Sequence, residues 1–184
     1  MRSGSVWASF LVCWLVGAVA APANALEWFL WIDGIQGEAD DPAHAEWIEV
    51  RSVSIDVTRV DEGSIGGGIT GEPIVRPLVI NKDLDSASVP ILAKALTGDR
   101  IADAKLVAYQ ESGNPVPGKV YEIELTDVFV SYFSQVADTD SPTSGKVRES
   151  IALVFNEMCL EYTPIDGAGS SISRCWDLVN NSPY

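Results

Sequence analysis

Histidine occurs once in this chain of 184 residues, at position 44, and methionine only twice. A Ser-His-Asp triad would have to use His44, and no G-x-S-x-G accompanies it. His44 lies in the acidic stretch 37–44, where an exposed loop histidine is the expected reading. Cysteine is scarce too: Cys13, Cys159 and Cys175, with no C-x-x-C. One histidine and two cysteines do not complete a four-ligand zinc site. Basic residues are in short supply, 12 Lys and Arg against 26 Asp and Glu, for a net charge of −14. That balance argues against nucleic acid and against anionic membrane surfaces as partners. After residue 25 no apolar run approaches the about 20 residues a spanning helix needs.

Several chemical signatures fail on inspection. Gly66, Gly68 and Gly71 fit G-x-G-x-x-G, a dinucleotide phosphate loop. That loop needs a helix opening directly behind it, and here Pro73 and Pro77 bracket the strand-like EPIVRPLVI. Glu38, Asp40 and Asp41 form a loop carboxylate cluster of the type that binds a hard cation. A solvated surface is the plainer expectation. Asp138 and Asp140 are similar, and they lack the downstream Glu of an EF-hand loop. Nothing singles out a carboxylate pair for glycoside hydrolysis. No catalytic residue, cofactor or metal is therefore expected.

What the chain does have begins at its N-terminus. Arg2, an apolar run over 6–21 and Ala23-Asn24-Ala25 have the order of a secretory signal peptide. Cleavage is expected between Ala25 and Leu26; the alternative is an uncleaved anchor. Removing residues 1–25 leaves 159 residues, enough for one domain with a real core. The mature chain loses only Arg2 among its charges and carries −15. It keeps Cys159 and Cys175, an even pair in an exported chain, which points to one disulfide. The alternative is two separate thiols, one in the core and one in the tail.

The rest reads as strands. Residues 29–32 are a short apolar run stopped by the turn pair Asp33-Gly34. Ile48 and Val50 alternate with polar neighbours; Val53, Ile55 and Val57 then carry the apolar set in the opposite phase. Such a slip predicts a bulge near Arg51-Ser52. Residues 61–71, DEGSIGGGITG, are a Gly-rich loop. Residues 72–81 predict a strand with Ile74, Leu78 and Ile80 on one face and prolines that favour an edge. Residues 82–100 predict the one helix, with Ser88 as N-cap, Val89, Leu92, Ala93 and Leu96 on one stripe, and Gly98 at its stop. Residues 104–110 predict a strand. In 120–134, Tyr121, Ile123 and Leu125 hold one phase and Val128, Val130 and Tyr132 the other, with the slip at Thr126-Asp127. In 146–162 the set Ile151, Leu153, Phe155 gives way to Met158, Leu160, Tyr162. Three long strands with a mid-strand phase change predict a mainly β fold, a small barrel of two curled antiparallel sheets with one short helix. The expected organisation is a signal peptide over 1–25, a barrel domain over 26–164 and a tail over 165–184 packed on the barrel.

Ile32, Asp33, Gly34, Ile35, Gly37, Glu38, His44, Trp47, Ile48, Glu49 and Val50 stand in an order that resembles the opening of the Hcp (haemolysin-coregulated protein) family of type VI secretion. KDLDSASVPILAKALTGDRI, YEIELTDVFVSYFS and ESIALVFNEMCLEYTPID are similar to later segments of that family. The resemblance implies a structural tube protein without catalysis, whose hexameric rings stack through loops at their faces. Its stacking loop would hold Asp61, Gly66, Gly67, Gly68 and Gly71. Implied partners are other copies of the chain, a secretion spike and effector cargo. The signal peptide and the cysteine pair fall outside the resemblance. With them, the expected location is the periplasm or the cell exterior. The competing reading is an exported monomeric β-barrel binding module, separable from a ring by its solution mass.

Overall fold

A computed structural model describes residues 26–59, 71–110, 118–137, 147–164 and 169–184. The expected signal peptide, loop residues Asp61, Gly66, Gly67 and Gly68, and the carboxylates Asp138 and Asp140 lie outside the described residues. The described elements are β1 (Leu26–Ile32), β2 (Ile48–Val50), β3 (Ser52–Ser54), β4 (Val57–Arg59), β5 (Pro73–Val75), β6 (Leu78–Asp83), α1 (Ser88–Thr97), β7 (Ile101–Gln110), β8 (Gly118–Ala137), β9 (Val147–Val154), β10 (Glu157–Tyr162), β11 (Ile172–Asp177) and β12 (Ser182–Pro183).

The fold is mainly β, as two curled antiparallel sheets sharing one strand. One sheet runs β12-β11-β10-β8-β7-β1-β2, and from β8 a branch continues through β9 and β6 to β3. The long β8 serves both, pairing with β7 and β10 along its first half and with β9 along its second. The hydrogen-bonded ladder stays open between β2 and β3, but the chain joins these two strands at Arg51. The Arg51 N–H donates to the Asn81 carbonyl at 2.8 Å, tying this corner to β6. Inside sit Leu30, Ile48, Leu78, Ile80, Leu106 and Ile151, none more than 1% exposed.

The phase slips in the sequence correspond to changes of strand partner. Ile48 and Val50 are buried while β2 pairs with β1; past Arg51, β3 pairs with β6 instead. Asp127 takes φ 56°, a left-handed bulge that re-aims β8 where its partners change. On the facing chain, the run 146–162 breaks at the same corner into β9 and β10. There the Asn156 N–H donates to the Thr126 carbonyl at 3.1 Å.

Other expectations are corrected. Val57 shares the apolar phase of Val53 and Ile55, and Ile74 that of Leu78 and Ile80, yet they are 56% and 49% exposed, because β4 and β5 leave the barrel and pair only with each other. Tyr132 is 54% exposed because a second irregularity between Val130 and Tyr132 turns the strand again. The helix is shorter than 82–100, since Lys82 and Asp83 end β6. Its N-cap is Ala87 rather than Ser88, and no side chain caps it. Gly98 stops it as expected, in the left-handed conformation with its N–H on the Lys94 carbonyl at 2.9 Å. The apolar stripe points the other way: Val89 and Leu96 are 75% and 78% exposed, while Ala87, Ser88 and Ile91 are buried. Alternation of residue types defines a stripe on a helix, but the side turned to the sheet is set by what the sheet offers. Here the sheet offers a buried lysine and glutamate to Ser88.

Candidate functional site

Two polar clusters and one cross-link stand out. The first is Lys82 with Glu149. Lys82 continues the inward phase of Leu78 and Ile80 on β6, and Glu149 the inward phase of Ile151 and Leu153 on β9. The strand register sets the two directly opposite. Lys82 Nζ lies 2.8 Å from Glu149 Oε2, 2.6 Å from Asp85 Oδ1, 2.7 Å from the Asp83 carbonyl and 3.0 Å from Ser88 Oγ. The Ser88 hydroxyl donates to Glu149 Oε2 at 2.8 Å, and Gln135 Nε2 donates to Glu149 Oε1 at 2.6 Å. Burying a charge is costly unless it is paired and hydrogen-bonded, and this pair is both. The network fixes the first turn of α1 against β6 and β9. Sequence reasoning missed it, although the inward phase of a lysine and a glutamate was the available signal.

The second cluster surrounds His44, which is 7% exposed and not the surface histidine expected. Residues 33–47 double back over the outer face of β1 and β7. Gly37 permits this closeness, because a Cβ there would stand 2.3 Å from the Trp47 carbonyl oxygen. The turn is held by Gly37 N–H on the Glu46 carbonyl at 2.8 Å and Ala39 N–H on the Trp47 carbonyl at 2.9 Å. The imidazole then stacks on Phe29 at 4.4 Å and 7°, and meets Trp47 and Tyr109 edge-on at 5.1 and 5.0 Å. Its Nδ1 is 2.6 Å from Asp41 Oδ1. Ring faces and edges are thus occupied by aromatic packing, and the histidine acts as a clasp for the loop.

The loop carboxylates near it are partly engaged as well. Glu38 accepts the Ser86 N–H at 3.0 Å, and Asp41 accepts the Ala43 N–H at 3.0 Å besides facing His44. Among the described residues no three His, Cys, Asp or Glu side chains gather as a metal-ion site. On the outer face of β8 and β10, Lys119 Nζ donates to Glu122 at 2.8 Å and to Glu161 at 3.3 Å. Burial opposes charge on Lys119, but these two carboxylates outweigh it and raise its pKa. In return, the Lys119 hydrogen bond holds the Glu161 carboxyl below its usual value.

Cys159 and Cys175 stand directly opposite in the β10–β11 ladder and are joined as a disulfide. Of the expected stacking-loop residues only Gly71 is described, in a bend just before β5. Leu26, on the mature side of the expected cleavage, is the first residue of β1.

Two curled antiparallel sheets with a separate β4–β5 ribbon define a mainly β protein with one short helix. The sequence model of the family described as type VI secretion system effector, Hcp, matches residues 29–162. The chain therefore belongs to the Hcp family. It is 28% identical over 163 residues to the protein hcp1 of Pseudomonas aeruginosa, covering 85% of this chain and 98% of that one. The crystal structure of Hcp1 from Salmonella typhimurium superposes with a TM-score of 0.70 at 28% identity, over 87% of this chain and 99% of the other. A structure described as a type six secretion system protein reaches a TM-score of 0.77 at 24% identity, over 87% and 100%. No helix among the described residues is long and apolar enough to cross a membrane.

Proposed function

We propose that this chain is the ring-forming tube component of a type VI secretion apparatus, without catalysis of its own. The observation that carries this reading is the family match over residues 29–162, with hcp1 of Pseudomonas aeruginosa covered over 98% of its length. The similarity thus spans nearly the full length of that relative. Other copies of the chain are the primary partners, six to a ring, with a secretion spike or effector cargo as further ones. The Gly-rich loop with Asp61, Gly66, Gly67, Gly68 and Gly71 is the proposed contact between rings. Its described base, the β4–β5 ribbon, has exposed Val57 and Ile74, which suits such a role.

Residues 1–25 are proposed as a signal peptide removed before Leu26, which places the mature protein in the periplasm or outside the cell. Six mature chains at −15 apiece would bring −90 together. Salt reduces that repulsion, because the Debye length shrinks from about 10 Å at 0.1 M to about 3 Å at 1 M. Rings are thus expected to form more readily as salt is added, and stacks more so. Light scattering and electron microscopy at both salt concentrations test this, on protein whose N-terminus has been read by mass spectrometry. A monomer at every salt concentration would overturn the ring and favour the exported binding module.

A further inference from the structure

The two C-terminal strands, β11 and β12, form a strap along the edge of β10. None of the residues from 169 to 184 is buried, and Ile172, Ser173 and Arg174 are exposed. The strap's apolar anchorage is limited to half-buried Trp176 and to Leu178, which packs against the core. Its other attachments are few. Backbone pairing runs from Glu157 opposite Asp177 to Tyr162 opposite Ile172. The Leu178 N–H donates to the Asn156 carbonyl at 2.8 Å, and the Tyr184 hydroxyl donates to Glu157 Oε2 at 3.0 Å. Ser171 also hydrogen-bonds the Glu161 side chain, and Cys159 is joined covalently to Cys175 in the middle of the ladder.

We infer that the Cys159–Cys175 bond is a redox lock on this strap: oxidised, it pins β11 along the edge of β10, and reduced, it lets the strap lift and leaves that edge open to the β11 strand of a second copy. The release step needs a dithiol reductant. A reductant thiolate attacks one sulfur, the Cys159–Cys175 bond breaks through a mixed disulfide, and the second reductant thiol resolves it. The chain gains two thiols, and the dithiol leaves oxidised to its cyclic disulfide, having given up two electrons and two protons. The edge so exposed is six residues long, with buried Met158 and half-buried Leu160 anchoring it. An uncovered edge of this kind is a template for another strand. The strand that fits its register is β11 itself, so a released strap from a second copy makes a swapped pair. A reducing cytosol and an oxidising exterior would then hold the same chain in two different edge states. This inference does not depend on ring formation.

The test is hydrogen exchange read by mass spectrometry on the purified full chain. It compares oxidised protein, dithiothreitol-treated protein and the Cys159→Ser/Cys175→Ser variant. A labelled peptide of residues 170–178 probes the edge by fluorescence anisotropy. On reduction, protection across β11 should fall on the order of a hundredfold, the scale the chain-entropy model gives for closing about 15 residues. Protection of β7 should stay unchanged. The peptide should bind the reduced chain and the double variant, and not the oxidised chain. Persistent protection of β11 in both reduced forms would overturn the lock, and so would collapse of β7 along with it. Lifting of the strap without peptide binding would overturn the strand-accepting edge.

Discussion

Lys82 and Glu149 face each other across the β6–β9 ladder with Nζ and Oε2 2.8 Å apart, and neither side chain has any solvent exposure. The pair is also the seat of α1, because Ser88 hydrogen-bonds both partners. Removing one partner leaves the other buried without its cross-strand counter-charge, Lys82 keeping Asp85 and Ser88 and Glu149 keeping Ser88 and Gln135. Lys82→Met, which takes the cation from both Glu149 and Asp85, should cost about 3–5 kcal/mol; Glu149→Leu, which leaves Lys82 its Asp85 contact, should cost less, and the double replacement should cost less than the sum of the two. Urea unfolding of the two single variants and the double measures this. Additive losses in the double variant would contradict the coupling.

The loop over His44 rests on Gly37. A methyl group there would meet the Trp47 carbonyl oxygen at 2.3 Å and its carbon at 2.6 Å, which are backbone atoms and do not swing aside. Gly37→Ala is expected to destabilise by about 1–3 kcal/mol, as overpacking does. The loss of the stacked Phe29–His44 geometry should show in the aromatic ring-current shifts of an NMR spectrum. Gly34 differs: its Cβ has open space but its φ is +73°, so Gly34→Ala should cost roughly 1–2 kcal/mol of backbone strain alone.

The helix predicts its own asymmetry. Ile91 is fully buried while Val89 and Leu96 are mostly exposed. Ile91→Ala should cost about 2–5 kcal/mol. Val89→Glu and Leu96→Glu should each stay within about 0.5 kcal/mol. Thermal unfolding of dilute protein decides it. A large loss at Leu96 would mean the face is covered.

Lys119 and Glu161 set a pH dependence with two sides. Glu161 has a carboxyl held below its ordinary range, first by the Lys119 hydrogen bond. Its contribution is present above the unfolded pKa and is lost as pH falls through the lowered folded one. For Lys119, burial acts to lower the pKa, but hydrogen bonds and charges from Glu122 and Glu161 raise it above 10.5. Its contribution is present below the unfolded value and is lost as pH rises through the raised one. Lys119→Met should move the Glu161 titration up toward its ordinary range, followed by carboxyl carbon NMR. No upward movement would remove the pairing.

Much of the architecture was legible in residue order. The turn at Asp33-Gly34, the slip at Arg51-Ser52 and the slip at Thr126-Asp127 each leave a local mark: a glycine at positive φ, a change of strand partner, and Asp127 at φ 56°. Strand alternation records which side of a sheet is apolar, and a break in it records a corner. The opening motif from Ile32 to Val50 resembled the Hcp family, and residues 29–162 match that family.

The sequence by itself determined the alternation, the corners and the family, because these follow from the order of neighbours along the chain. It did not determine which apolar stripe of α1 faces inward, nor that Val57 and Ile74 lie outside the barrel. Those depend on which strand lies alongside, and the partner is far away in the chain. Lys82 meets Glu149 across a sequence separation of 67 residues, and only the folded register brings them opposite. The same holds for His44: an acidic loop position reads as solvated until the turn at Gly37 lays it between Phe29, Trp47 and Tyr109. Burial is a property of what covers a residue, and the cover here comes from other strands.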